Sequence, residues 1–154
     1  MDDIINEIRK LIEYNSKTGT EITKEHIDLI TTKTIEAVIF DLTDNLGNRK
    51  IKEAINILDN LLLQKEPLQK IYIMIYRHYK NLYLYKYAKE NNLLDINELL
   101  GLHPFVANKL NYQIKNYSLE ELNNIYKNLM LIDINNKSGN IDLYTGIISV
   151  MCNI

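Results

Sequence analysis

The sequence predicts an all-α fold: a helical bundle preceded by a small helical pair. Three observations carry that prediction. Only five Gly and two Pro punctuate 154 residues, too few for the tight turns that strands of this total length require. No stretch alternates polar and apolar residues over a strand's length; IYIMIY, residues 71–76, is the one ambiguous run, and its long helical context decides it. The third observation is the segment from Pro67 to Glu90, which no Gly or second Pro interrupts. Pro67 suits a helix start, where its missing N–H costs nothing. Helical spacing puts Leu68, Ile71, Tyr72, Ile75, Tyr79, Leu82 and Tyr83 on one broad face. Lys70, Arg77, Lys80 and Asn81 collect on the other, but Ile73, Met74 and Leu84 sit there too. A helix apolar on both sides packs on both sides. This one is expected to hold its own domain on one face and a partner subunit on the other.

The remaining elements follow in order. Residues 3–15 place Ile4, Ile5, Ile8, Leu11 and Ile12 at helical spacing, with Asp2 and Asp3 at the end the helix dipole favours. A loop pivoting on Gly19 leads to Thr23, an N-cap for a short helix with Glu25 in its first turn and Ile27 and Ile30 inward. Ile22 and Ile27 have the spacing of a hydrophobic staple. Residues 34–46 carry Ile35, Val38, Ile39, Leu42 and Leu46, and Gly47 reads as a left-handed C-cap. Asn48 reads as the cap of the next helix, with a stripe of Ile51, Ala54, Ile55, Leu58, Leu61 and Leu62; so short a connection makes the two antiparallel neighbours. Asp95 and Glu98 suggest an acidic capping box for a short helix ending at Gly101. His103-Pro104-Phe105 opens another, with Phe105, Val106, Leu110 and Ile114 as its apolar side. Ser118 and Glu121 form a capping box for a long helix through Leu122, Ile125, Leu129 and Ile132 to about Lys137. Ser138-Gly139-Asn140 turns the chain into a last helix bearing Leu143, Ile147, Ile148 and Met151.

Composition excludes more than it assigns. A net charge of −2 gives no global basic field for nucleic acid or an anionic membrane. No apolar run approaches the roughly 20 residues a membrane span needs, and no leader-like segment opens the chain. The single Cys152 cannot form an internal disulfide, fits a reducing cytoplasm, and lacks the basic neighbours that would make it a nucleophile. Phosphate-cradling and dinucleotide fingerprints are absent. His26, His78 and His103 lack metal partners at helical spacing, so neither a metal nor another cofactor is expected. Asp133 and Lys137 have the order of a surface ion pair on a helix, or of a contact in an assembly. His103 reads as a cap rather than a catalyst.

The tyrosines admit two readings. Tyr72, Tyr76, Tyr79, Tyr83, Tyr85 and Tyr87 interleave with Lys70, Arg77, His78, Lys80, Lys86 and Lys89. Stacking rings beside positive charge hold single-stranded nucleic acid in many proteins. The favoured reading is core and subunit interface, because Tyr72, Tyr79 and Tyr83 share the stripe with Leu and Ile.

Several stretches together resemble one family, the delta subunit of the bacterial DNA polymerase III clamp loader, in its C-terminal part. Residues 10–14 (KLIEY) and 22–30 (ITKEHIDLI) are similar to the end of that family's small helical lid domain. IFDLTDNL, residues 39–46, and the Leu-rich helix ending in Gln-Lys-Glu-Pro resemble the start of its collar. Arg77-His78-Tyr79-Lys80, the run from Leu102 to Lys109, Tyr117-Ser118 with Glu121-Leu122, and Asp133 with Lys137 and Gly139 follow in the family's order. The resemblance implies residues 1–32 from an AAA+ lid and residues 33–154 as a helical collar for oligomerisation. Family members are about twice as long and begin with an AAA+-like domain that grips the sliding clamp, so this chain resembles a C-terminal fragment. The implied protein opens and loads the clamp on primed DNA during replication, and the subunit does not itself hydrolyse ATP. Implied partners are loader subunits of the gamma/tau and delta prime type through the collar, the clamp only through the absent domain, and primed DNA in the assembled complex. No membrane is implied. Expected interface residues are Ile73, Met74, Arg77, Leu84, Asp133 and Lys137, and the turn holding Lys137 and Asn140 is expected nearest DNA. The alternative is a single-stranded nucleic-acid-binding module using residues 67–90.

Overall fold

The computed structural model describes residues 2–19, 22–23 and 34–154. Contacts gather the chain into two compact units, Met1–Thr34 and Ile35–Ile154. Among the described residues all regular structure is helical.

In the first unit α1 spans Asp2–Thr18, one turn beyond the expected end. The extra turn is compatible with its side chains: Lys17 pairs with Glu13 four residues back at 2.9 Å, and the Ser16 hydroxyl donates to the Glu13 carbonyl. The expected helix after Thr23, with Glu25, Ile27 and Ile30, lies outside the described residues.

The second unit contains α2 (Ile35–Gly47), α3 (Ile51–Leu63), α4 (Leu68–Glu90), α5 (Ile96–Leu99), α6 (Pro104–Gln113), a 3₁₀ turn (Ile114–Asn116), α7 (Leu119–Lys137) and α8 (Leu143–Cys152). Helix α4 is its axle, packing on α2, α6, α7 and α8. Ile71, Ile75, Tyr79 and Leu82 on α4 are sealed from solvent, as are Leu42 and Leu46 of α2, Leu58 and Leu61 of α3, and Leu122 and Leu129 of α7. Each such aliphatic side chain contributes about 1.5–3 kcal/mol by leaving water. Among the buried tyrosines, Tyr72, Tyr79 and Tyr117 have hydrogen-bonded hydroxyls. Tyr72 donates to the Leu129 carbonyl at 2.7 Å, tying α4 to α7, and Tyr117 donates to the Leu46 carbonyl at 2.5 Å. Tyr79 and Tyr117 meet edge to face with hydroxyls 3.4 Å apart.

Helix starts follow local chemistry. Ser118 and Glu121 complete the expected box: the Glu121 N–H donates to Ser118 Oγ, and the Ser118 N–H donates to the Glu121 carboxylate. The Phe105 N–H donates to His103 Nδ1 at the head of α6. Asp142 caps α8 by accepting from the Thr145 N–H.

Four local expectations are corrected. Gly47 stays helical; the left-handed residue closing α2 is Arg49, at φ +57°. Asn48 does not cap α3: its amide donates back to the Asp44 carbonyl, and Lys50 takes the cap position without a side-chain bond. Asp95 is itself left-handed, so its carboxylate makes no cap bond to α5. Phe105 and Val106 are not core residues. They stand exposed, and α6 instead buries Ala107, Leu110 and Gln113. Ten residues of helix with apolar side chains at 105, 106, 107 and 110 leave the inward face open, and packing on α4 selects the face of Ala107 and Leu110.

Candidate interaction site

Helix α4 meets solvent along one ridge. At about 100° per residue, Ile73, Arg77, Lys80 and Leu84 fall on a common meridian. Ile73 and Arg77 are exposed, and Leu84 is half-buried. On each side of the ridge lies a helix-walled flank of different character.

One flank is aromatic and runs against α7. Tyr83 and Tyr126 stack nearly parallel at 6.0 Å, Tyr126 and Tyr76 lie 5.3 Å apart with hydroxyls hydrogen-bonded at 2.9 Å, and Tyr87 continues the series 6.3 Å from Tyr83. Desolvation of the buried ring, with the nearby Asp133 carboxylate, pushes the Tyr72 phenol up to about 12. Tyr83 already stacks on Tyr126, and Tyr72 and Tyr79 are buried, which leaves Tyr87 as the exposed ring of this series.

The other flank is a groove of about 570 Å³ between α2, α4 and α6. Phe40 of α2, Met74 and Arg77 of α4, and Phe105 and Val106 of α6 form its walls, with Leu102 and His103 at one end. Three of the stretches behind the family resemblance, residues 39–46, 77–80 and 102–109, thus converge on a single surface feature. Asp44 and Lys109 bridge the groove as an ion pair, and the Lys109 ammonium also lies over the Phe105 ring at 4.9 Å. Below them the floor is tightly packed. The Gln113 amide donates to Asp44 at 3.3 Å, leaving its carbonyl oxygen unpaired and sealed, as is His78 Nε2. A Cβ on Gly47 would stand 2.5 Å from Gln113 Oε1 and 2.8 Å from His78 Nε2, so any side chain there would have to push one of these buried groups aside. Burial, with Lys109 reinforcing it and Asp44 opposing it, holds the His78 imidazole down at about 4.

The expected site residues separate into groups. Ile73, Arg77 and Leu84 share the ridge, and Met74 and Arg77 reach into the groove. Asp133 pairs with Lys137 at 2.7 Å on α7, and its carboxylate adds to the rise that burial gives the Tyr72 phenol and the Tyr126 hydrogen bond gives the Tyr76 phenol. Lys137 and Asn140 lie at the far end of α7, exposed. The reading from sequence missed Phe40, Phe105 and Val106 as surface residues. Phe40 offered a signal, an aromatic outside its helix's core stripe; Phe105 and Val106 offered none in so short a helix.

A second feature escaped the sequence altogether. The Arg49 guanidinium donates to the Asn116 carbonyl at 2.8 Å, to Glu121 at 2.6 Å and to the Ile154 carbonyl, and lies 4.3 Å over the Tyr117 ring. It ties the α2–α3 turn to the start of α7 and the chain's end. Among the described residues there is no cluster of His, Cys, Asp and Glu able to hold a metal, and no helix long and apolar enough to cross a membrane.

The family described as DNA polymerase III delta subunit, C-terminal domain, matches residues 36–154. The chain is 30% identical over 144 residues to the DNA polymerase III subunit delta of Bacillus subtilis, covering 92% of this chain and 41% of that protein. The solved structure of the Bacillus subtilis DNA clamp loader delta protein superposes with a TM-score of 0.76 at 28% identity, over 97% of this chain and 44% of that one. The chain therefore spans about two-fifths of the length of the relatives it matches. Match and helical architecture coincide over the second unit, and the chain belongs to the DNA polymerase III delta subunit family, to which it corresponds through the C-terminal domain.

Proposed function

We propose that this chain is the collar-bearing part of a clamp-loader delta subunit, with residues 33–154 as the collar and residues 1–32 as the end of an AAA+ lid. In this reading the collar performs no chemistry. It holds the subunit in a ring with sister loader subunits of the gamma/tau and delta prime type in the cytoplasm, while contact with the sliding clamp belongs to an AAA+-like domain preceding it. Ile73, Met74, Arg77 and Leu84 make the main contact, Asp133 and Lys137 an ancillary one, and the turn at Lys137 and Asn140 lies nearest the primed DNA.

The match over residues 36–154 carries this reading. The ridge on α4 supports it, because a helix with its core face filled still presents Ile73 and Leu84 outward. Such faces provide the affinity of subunit contacts, while a few charges set register. The test is size-exclusion chromatography of the chain with purified sister loader subunits and, separately, with the clamp. Co-elution with loader subunits and not with the clamp, and no ATPase activity of the chain alone, is the expected result. Capture of the clamp with no loader subunit contradicts the reading.

A further inference from the structure

The groove between α2, α4 and α6 has properties that define its occupant. Phe40 and Phe105 are 53% and 62% exposed, and Val106 joins them. Large apolar side chains converging in one concavity mark an interaction surface rather than ordinary scatter. The groove's charges are unequally satisfied. Lys109 and Asp44 neutralise each other, and Asp41 is engaged as well. Arg77 has no hydrogen bond or ion pair among the described residues, and its guanidinium is the fork geometry that suits a carboxylate.

We propose that this groove receives one amphipathic helix of a sister loader subunit, with apolar side chains against Phe40, Phe105 and Val106 and a carboxylate paired with Arg77. The proposal rests on the assembly role above and names the chemistry of the contact. A helix fits because the walls are helices and the described residues include no sheet edge to which a strand could add. Nucleic acid fits poorly: a phosphate chain entering the groove would face Asp41 and Asp44, with Arg77 as the one uncommitted cation among the described residues that line it. A second copy of this chain seated symmetrically fits no better, since among the described residues the groove has no free carboxylate to offer its own Arg77. A small polar ligand finds no partner at the floor, where Gln113 Oε1 and His78 Nε2 are sealed from the cavity.

The test uses the full chain and sister loader subunits. Binding is titrated for the wild type, Arg77→Glu, and Phe40→Ala combined with Phe105→Ala, with melting temperatures recorded for each. A photo-crosslinking residue at position 105 then identifies the contacted segment by mass spectrometry. Arg77→Glu is expected to weaken binding roughly tenfold or more without changing the melting temperature, and the double alanine variant comparably. The crosslinked segment is expected to be helical and to carry a carboxylate whose reversal to Lys restores affinity to Arg77→Glu. Wild-type binding that both variants preserve within about twofold overturns the groove proposal and leaves the assembly role standing. A crosslink to a segment without a carboxylate, concentration-dependent self-association abolished by Arg77→Glu, or loss of single-stranded DNA affinity alone in that variant also overturns it. Failure of the wild type to bind any loader subunit instead removes the assembly role itself.

Discussion

Gly47, His78 and Gln113 form a packing knot at which single atoms decide stability. Gly47→Ala would drive a methyl into Gln113 Oε1 at 2.5 Å and His78 Nε2 at 2.8 Å. The expected loss is about 1–3 kcal/mol, the usual cost of overpacking a filled site, read from the midpoint of urea unfolding. His78 makes the same knot sensitive to pH. The unfolded imidazole binds its proton near pH 6.5, while the folded one resists until about 4. Between those values the unfolded state holds more protons, so stability falls as pH drops from about 6.5 to about 4 and then levels off for this group. Unfolding midpoints at pH 7 and pH 4.5 should differ markedly less in His78→Gln than in the wild type. An equal difference in both proteins would relieve His78 of this role. Arg49 is the second point of concentration, and its backbone and side chain pull in opposite directions. Arg49→Ala should cost about 2 kcal/mol through its lost charged hydrogen bonds. Arg49→Gly should cost less, because glycine adopts φ +57° without a side-chain penalty. Equal losses in the two variants would show that φ is not strained there.

Helices are the scale at which the sequence was most legible. The stripes on α2, α3, α4 and α7 give most of the core because each is long enough for its period to fix one inward face, although α4 also buries Tyr85 and Ala88 outside its stripe and leaves Tyr83 half-buried. Capping was legible where the side chain bonds within its own turn, as at Ser118 and His103, and illegible where a left-handed residue replaced the expected bond, as at Asp95. The start of α7 carries its own pH signature. The Ser118 backbone N–H, Arg49 and the Ser118 hydroxyl all favour the charged Glu121, holding its carboxyl down at about 2. Because the folded pKa is depressed, this contribution is complete above the unfolded value near 4.5 and is lost as pH falls toward 2. Glu121→Gln keeps a cap of similar shape without the charge. Its stability should decline less than the wild type's between pH 4.5 and 2.5, followed by circular dichroism of urea unfolding. An identical decline would mean that Glu121 gains nothing from its partners. The close crossing of α7 and α8 has a simpler origin, since a Cβ on Gly146 would approach Ile132 Cγ2 to 2.8 Å.

At the scale of the whole molecule, the candidate site was partly legible and partly not, for one physical reason. Periodicity reports which residues leave the core stripe of their own helix, and so it exposed Ile73, Arg77 and Leu84. It says nothing of how separate helices close around a concavity, and so Phe40, Phe105 and Val106 came into view only when α2, α4 and α6 were side by side. Arg49 was invisible for the same reason: its partners Asn116, Glu121 and Ile154 lie far along the chain. The central claim is that the α4 ridge and its groove are a surface for sister subunits. Hydroxyl-radical footprinting of the chain, free and in complex with loader subunits, tests it most directly. Labelling of Ile73, Met74 and Phe105 should fall severalfold on assembly while exposed Leu63, remote in sequence from the ridge, stays unchanged. A stable complex in which those three residues label as fast as in the free chain would contradict the account.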